Sequence, residues 1–148
     1  MIRAWRIVRE ARVPEAFSGE GARQFGGRWN SPGVAVVYTS AHQSLAALET
    51  LVHLQPRGSL RFMMIGVEFE ESFVERAPAD LLPAHWLAEP PGAPTMEIGD
   101  RWAGEARSAV LSVPSAVVPD ESNYILNPLH RDFAKIRLEC PFEFSFDP

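Results

Sequence analysis

Apolar positions along the chain come in short blocks punctuated by glycine and proline. Residues 2–9, IRAWRIVR, read as a strand. Residues 10–33 hold five glycines and scattered apolar side chains, which predicts a long loop; loops of that length often carry function. VAVVYT, 34–39, is dense in β-branched residues and follows Gly33, the pattern of a buried strand. Ser40 with Gln43 makes a capping box, so a helix is expected from there to about Leu54, stopped by Pro56 and Gly58. LRFMMIGVEFE, 60–70, is another strand, and the proline-punctuated stretch 78–94 an irregular connection. Thr95 with Glu97 opens a second helix to about Ser108, AVLSV at 109–113 is a short strand broken by Pro114, and 119–130 reads as a connection. IRLECPFEFSF, 136–146, alternates, which puts Ile136, Leu138, Cys140, Phe142, Phe144 and Phe146 on one face. Strands outnumber helices and the two are interspersed, so the expectation is one α+β domain over 1–148.

The first helix has an informative wheel. With Leu45 at zero and about 100° per residue, Leu54, Ala47, Leu51, Leu48 and Val52 fill the arc from about 180° back to Leu45, which predicts the core-facing side. Glu49 falls at about 40°, just off that edge, with His42 and His53 on the same flank at about 60° and 80°. A boundary carboxylate facing a cleft is a candidate acid–base or charge-stabilising group. On its own, a glutamate on a helix flank is ordinarily solvated.

Composition narrows the classes. Hydrophobic residues make up 46% and charged residues 22%, which is globular composition. The net charge of −5 disfavours electrostatic binding to nucleic acid or an anionic membrane, although the N-terminal arginines leave room for a local basic patch. Cys140 is the only cysteine, which excludes an intrachain disulfide and a cysteine-pair zinc site. The four histidines, His42, His53, His85 and His130, show no paired metal spacing, so no metal is expected. Neither a signal peptide nor a membrane span is legible, and the expected setting is the cytoplasm.

Within 26–54, one arginine and one glutamate stand in an otherwise uncharged segment, with Tyr38 between them. Arg28 follows Gly26-Gly27, where glycines allow close backbone approach and an arginine fork suits phosphate or carboxylate. Tyr38 stands at a strand end and Glu49 on the helix that follows, so loop, strand and helix can converge on one cleft. Ser115 lies in VPSAV; no Ser–His–Asp arrangement is legible, and a hydroxyl that satisfies a backbone group after Pro114 is the plainer reading. A nuclease using His130, His53 and the N-terminal arginines, and a non-catalytic binding module, are the competing classes.

FGGRWNSPGVAVVYTS, the LAALET helix and LSVPSAVVPDESNYILNPLHRDF together resemble the RES domain, named for its arginine, glutamate and serine. The resemblance runs from about Arg3 to Ile136. It implies an ADP-ribosyltransferase-like fold of mixed sheets and flanking helices around a cleft. It also implies a toxin of a type II toxin–antitoxin pair with an Xre-type antitoxin, and NAD⁺ as substrate, cleaved by hydrolysis, phosphorolysis or ADP-ribosyl transfer to a protein acceptor. By motif, Arg28, Tyr38, Glu49 and Ser115 take the catalytic positions. Arg28, Tyr38, Ser115 and Asn127 take the NAD-binding ones, and His130 matches the later NPxH position. The family often carries proline soon after that histidine; here Arg131 follows. The resemblance accounts for the sparse charge: an arginine for the pyrophosphate and a carboxylate for the cationic ribose form a minimal set. Tyr38 would add an aromatic face for the ribose–nicotinamide portion, and Ser115 a hydrogen bond to Glu49 or the ribose.

Overall fold

Strands and helices alternate in an α+β fold in the computed structural model, which describes residues 1–54, 61–77, 80 and 82–146. The strands are β1 (Ile2–Arg9), β2 (Val37–Ser40), β3 (Phe62–Phe69), β4 (Val74–Arg76), β5 (Val110–Pro114), β6 (Ser122–Leu126), β7 (Arg137–Leu138) and β8 (Phe142–Phe144). They form one mixed sheet in the order β4-β5-β6-β2-β1-β3-β7, with β8 also on β3. The β4–β5 pair is parallel and the remaining pairs are antiparallel. The helices are α1 (Glu20–Phe25), α2 (Gln43–Val52) and α3 (Ala93–Gly104). No helix among the described residues is long and apolar enough to cross a membrane.

Register divides the side chains between two cores. Val37, Tyr124, Leu126 and Val110 join Ala4, Val67 and Phe69 on one face, closed by Phe17, Phe73 and Phe133. Leu111, Val113 and Ile125 point to the other, where Trp102 of α3, Trp29 and Val36 cover them. Trp5 pairs with Ser40 and Tyr38 with Ile125, so Tyr38, Ser40 and Asn123 share this second face. The sheet is weakly joined at its middle: β1 and β2 share the single register pair Trp5↔Ser40. Beyond it the Tyr38 carbonyl accepts from Arg6 Nη1 at 3.0 Å, while Arg6 Nε donates to the Ala16 carbonyl at 2.8 Å. Burial lowers the Arg6 pKa to about 10, which still leaves it a protonated donor at neutral pH.

Several expectations are corrected. The long loop 10–33 contains a 3₁₀ turn, Glu10–Glu15, and the short α1. The strand expected at 34–39 is confined to Val37–Ser40, because Val34 turns its carbonyl to the Asn30 side chain and Val36 packs outside the ladder. β4 and β6 were not legible; β6 lies within the stretch read as a connection. The second helix starts at Ala93, with Pro94 in its first turn, a position that tolerates a missing N–H. Ser40 is not a helix cap: α2 begins at Gln43 behind His42, with no side-chain cap. Pro56, Gly58, Pro78 and the Leu60 start of the third strand lie outside the described residues.

The 136–146 alternation does not make one buried face. Val67 pairs with Leu138 but Met64 with Phe142, so one extra residue intervenes between β7 and β8. That bulge reverses the side from which residues project, and Leu138, Cys140 and Phe142 are exposed along the edge.

Candidate active site

The inward side of α2 is not the side its apolar arc predicts. Helix α2 packs against β1 and β2 and buries Leu45 and Ala46, at about 0° and 100° on the wheel. Glu49, at about 40°, therefore lies between them on the inward side. Leu48, Leu51 and Val52 remain exposed, and so do His42 and His53, which flank the helix as its caps. An inward carboxylate must find donors. Asn123 Nδ2 donates to Glu49 Oε2 at 2.7 Å, and Ser115 Oγ donates to Oε1 at 3.3 Å.

Ser115 is fully buried in the turn between β5 and β6. Its oxygen accepts the amides of Val117 and Val118 at 3.1 and 3.0 Å, which directs its own proton to Glu49. The backbone-satisfying role and the glutamate contact thus coexist in one hydroxyl, and among the described residues no histidine hydrogen-bonds to it.

A second cluster holds the arginine. Tyr38 and Ser40 project from the same face of β2, separated by about 7 Å along the strand. The Tyr38 hydroxyl donates to Asn30 Oδ1 at 2.6 Å and accepts the Trp29 amide at 3.1 Å. Asn30 is fully buried, and its Nδ2 donates to the carbonyls of Ala22 and Val34. Asp100 of α3 accepts both the amide and the hydroxyl of Ser31. The Gly27–Ser31 turn is thereby tied to β2 and α3 together. Gly27 is required by the protein's own packing: a Cβ there would sit 2.7 Å from the Tyr38 oxygen.

Arg28, carried on that turn, points its fork at the chain itself. Nη1 donates to the Trp86 and Ala88 carbonyls at 2.7 and 2.8 Å, and Nη2 meets Glu89 at 3.0 Å. Its side chain is 13% exposed, against 66% for Glu89.

Burial raises the Tyr38 phenol well above its ordinary 10.0; the Asp100 charge adds to this, while the Trp29 amide and Arg28 oppose it. Tyr38 is therefore a neutral hydrogen-bonding group at physiological pH. A pKa raised on folding contributes stability that is whole below pH 10 and is lost as pH climbs toward the folded value. Chemical unfolding should show stability falling above pH 10, with Tyr38→Phe shedding part of that slope. Tyr38→Phe should also cost about 1–3 kcal/mol at neutral pH by stranding buried Asn30 Oδ1. An unchanged denaturation midpoint would contradict this.

Asn127 and His130 make contacts of their own. Asn127 donates to the Ala103 carbonyl at 3.3 Å and accepts the Leu129 amide at 3.0 Å, tying the end of β6 to α3. His130 Nδ1 accepts the Asp132 amide and caps the 3₁₀ turn Arg131–Lys135. Among the described residues no hydrogen bond or ion pair joins His130 to His53, the two histidines of the nuclease reading. Sequence reasoning missed Asn30, Ser40, Asp100 and Asn123. Asn30 and Asn123 stood inside the GGRWN and NYILNP segments, yet a buried amide carries no periodic signal.

The fold and site define an α+β protein with a donor-held carboxylate on α2 and an arginine-bearing turn tied to β2 and α3. The chain belongs to the RES domain family, whose model matches residues 3–147. It is 41% identical to the Prs ADP-ribosylating toxin of Sphingobium sp. (strain YBL2), covering 97% of this chain and 93% of that one. It is 39% identical to Toxin Res of Yersinia enterocolitica, over 97% and 96% of the two chains. It is 42% identical to Toxin Res of Photorhabdus laumondii, over 88% and 85%.

Proposed function

We propose that this protein is a toxin that cleaves the nicotinamide–ribose bond of NAD⁺, the toxin half of a type II pair restrained by an Xre-type antitoxin. The observation that carries the reading is Glu49, an inward carboxylate held at both oxygens, on the sheet face from which Tyr38 also reaches the turn that bears Arg28. The toxin names of the relatives support the same class.

In this reading the C1′–N1 bond breaks and its electron pair goes to the pyridinium nitrogen, which leaves as neutral nicotinamide. Positive charge builds on the ribose, and Glu49 stabilises it from a fixed position. An acceptor oxygen then bonds to C1′ and loses its proton. Water, phosphate and a protein side chain are the three acceptors. The relative named as an ADP-ribosylating toxin supports ADP-ribosyl transfer. Ser115 orients Glu49, Arg28 takes the pyrophosphate, and Tyr38 holds the turn that presents Arg28. The test is incubation of purified protein with NAD⁺, with and without phosphate and cell lysate, followed by mass spectrometry. Nicotinamide release is expected, and its absence under all conditions sinks the proposal.

A pyrophosphate that takes the place of Glu89 on Arg28 Nη2 breaks that ion pair. With the Glu89 side chain largely in solvent, a pair of this kind contributes about 0.5–1 kcal/mol. Glu89→Gln should therefore lower KM for NAD⁺ by roughly two- to fivefold with kcat unchanged. Arg28→Lys should raise KM, because an ammonium cannot reproduce the fork. A higher KM in Glu89→Gln would rule out the exchange.

A further inference from the structure

We propose that Asn123, oriented by Ser40, is a positioning residue that fixes the Glu49 carboxylate for reaction; this rests on the reading of Glu49 as the charge-stabilising group. The amide is held at both ends. Ser40 Oγ donates to Asn123 Oδ1 at 2.8 Å, and Asn123 Nδ2 donates to Glu49 Oε2 at 2.7 Å. Rotating the amide by half a turn would set Oδ1 against a carboxylate oxygen, acceptor against acceptor, so the donor end faces Glu49. Ser40 and Asn123 are 5% and 7% exposed, so water has little access to replace either contact.

Their placement follows from register. Ser40 and Asn123 are directly paired across β2 and β6, on the face that also carries Tyr38. Strands place such groups more rigidly than a loop does. Ser115 holds Oε1 and Asn123 holds Oε2, so the carboxylate plane is set from two elements, β6 and the β5–β6 turn. Without Asn123 the carboxylate would turn about its last torsion, and a displacement of about 1 Å at a reacting centre costs about 10²-fold in rate.

The test measures nicotinamide release and melting temperature for Asn123→Asp, Ser40→Ala, Ser40→Thr, Glu49→Gln and the Asn123→Asp/Glu49→Gln double variant. Asn123→Asp keeps size and the Ser40 contact but sets a carboxylate against Glu49. Its kcat should fall about 10²-fold, with KM changed by less than about threefold. Ser40→Ala should lose roughly three- to tenfold in kcat, and Ser40→Thr should recover most of it. Because Asn123 acts through Glu49, the double variant should be no slower than Glu49→Gln alone. If Asn123→Asp does not melt cooperatively, the Ser40 pair carries the test. Parent-like kcat in Asn123→Asp or Ser40→Ala overturns the proposal, as does a double variant whose loss is the product of the single losses. A slow Glu49→Gln beside a parent-like Asn123→Asp fails this inference alone. A parent-like Glu49→Gln fails the functional reading and this inference together.

Discussion

Glu49→Gln is expected to lower kcat for nicotinamide release by about 10²–10³-fold, or about 3–4 kcal/mol, with little change in KM. Glutamine keeps the shape and still accepts from Ser115 or Asn123 through its oxygen, but the charge that answers a cationic ribose is gone. One contact also turns unfavourable, because the glutamine amide must face one of two donors that now meet a donor. A loss of about 1 kcal/mol in stability is expected from that mismatch, small beside the kinetic effect. Melting temperature and steady-state kinetics separate the two. Parent-rate turnover would remove Glu49 from the chemistry and with it the proposed mechanism.

The largest effect on stability should come from Gly99→Ala in α3. The helix backbone crosses Trp29 so closely that a Cβ on Gly99 would fall 1.7 Å from the Trp29 carbonyl oxygen and 2.8 Å from its carbon. Both are backbone atoms, so no rotamer change relieves the clash and α3 must move away. That movement parts Trp102 from Trp29 and strains the Asp100–Ser31 contacts. Alanine favours the helix by about 1 kcal/mol over glycine, whereas overpacking of this severity costs about 3 kcal/mol or more. The clash wins, and melting should drop by roughly 5–10 °C. Gly104→Ala in the same helix is the control: no atom lies within 4 Å of the added Cβ, and its melting temperature should hold or rise. A Gly99→Ala protein melting with the parent would show that α3 does not rest on the Arg28 turn.

Sequence pattern alone located β1, the bulk of β3 and β5, and both longer helices, because periodicity and breakers act locally. It also singled out Glu49 with Ser115, a pair carried by the family resemblance, and the structure brings these two into contact. Tertiary structure decided what local pattern cannot encode. The helix wheel equates apolar with inward, yet α2 turns Glu49 inward and leaves Leu48, Leu51 and Val52 outside, since two donors, one on β6 and one in the β5–β6 turn, satisfy the carboxylate. Ser40 has the makings of a helix cap by sequence, but pairing with β6 gives its hydroxyl to Asn123. The alternation of 136–146 promises one face, and a single extra residue against β3 reverses it. Arg28 was legible as a phosphate-seeking fork, whereas its present hold on the Trp86–Glu89 segment depends on residues about sixty positions away. Residue type sets which bonds a side chain can form; the register of distant strands decides which of them it does form.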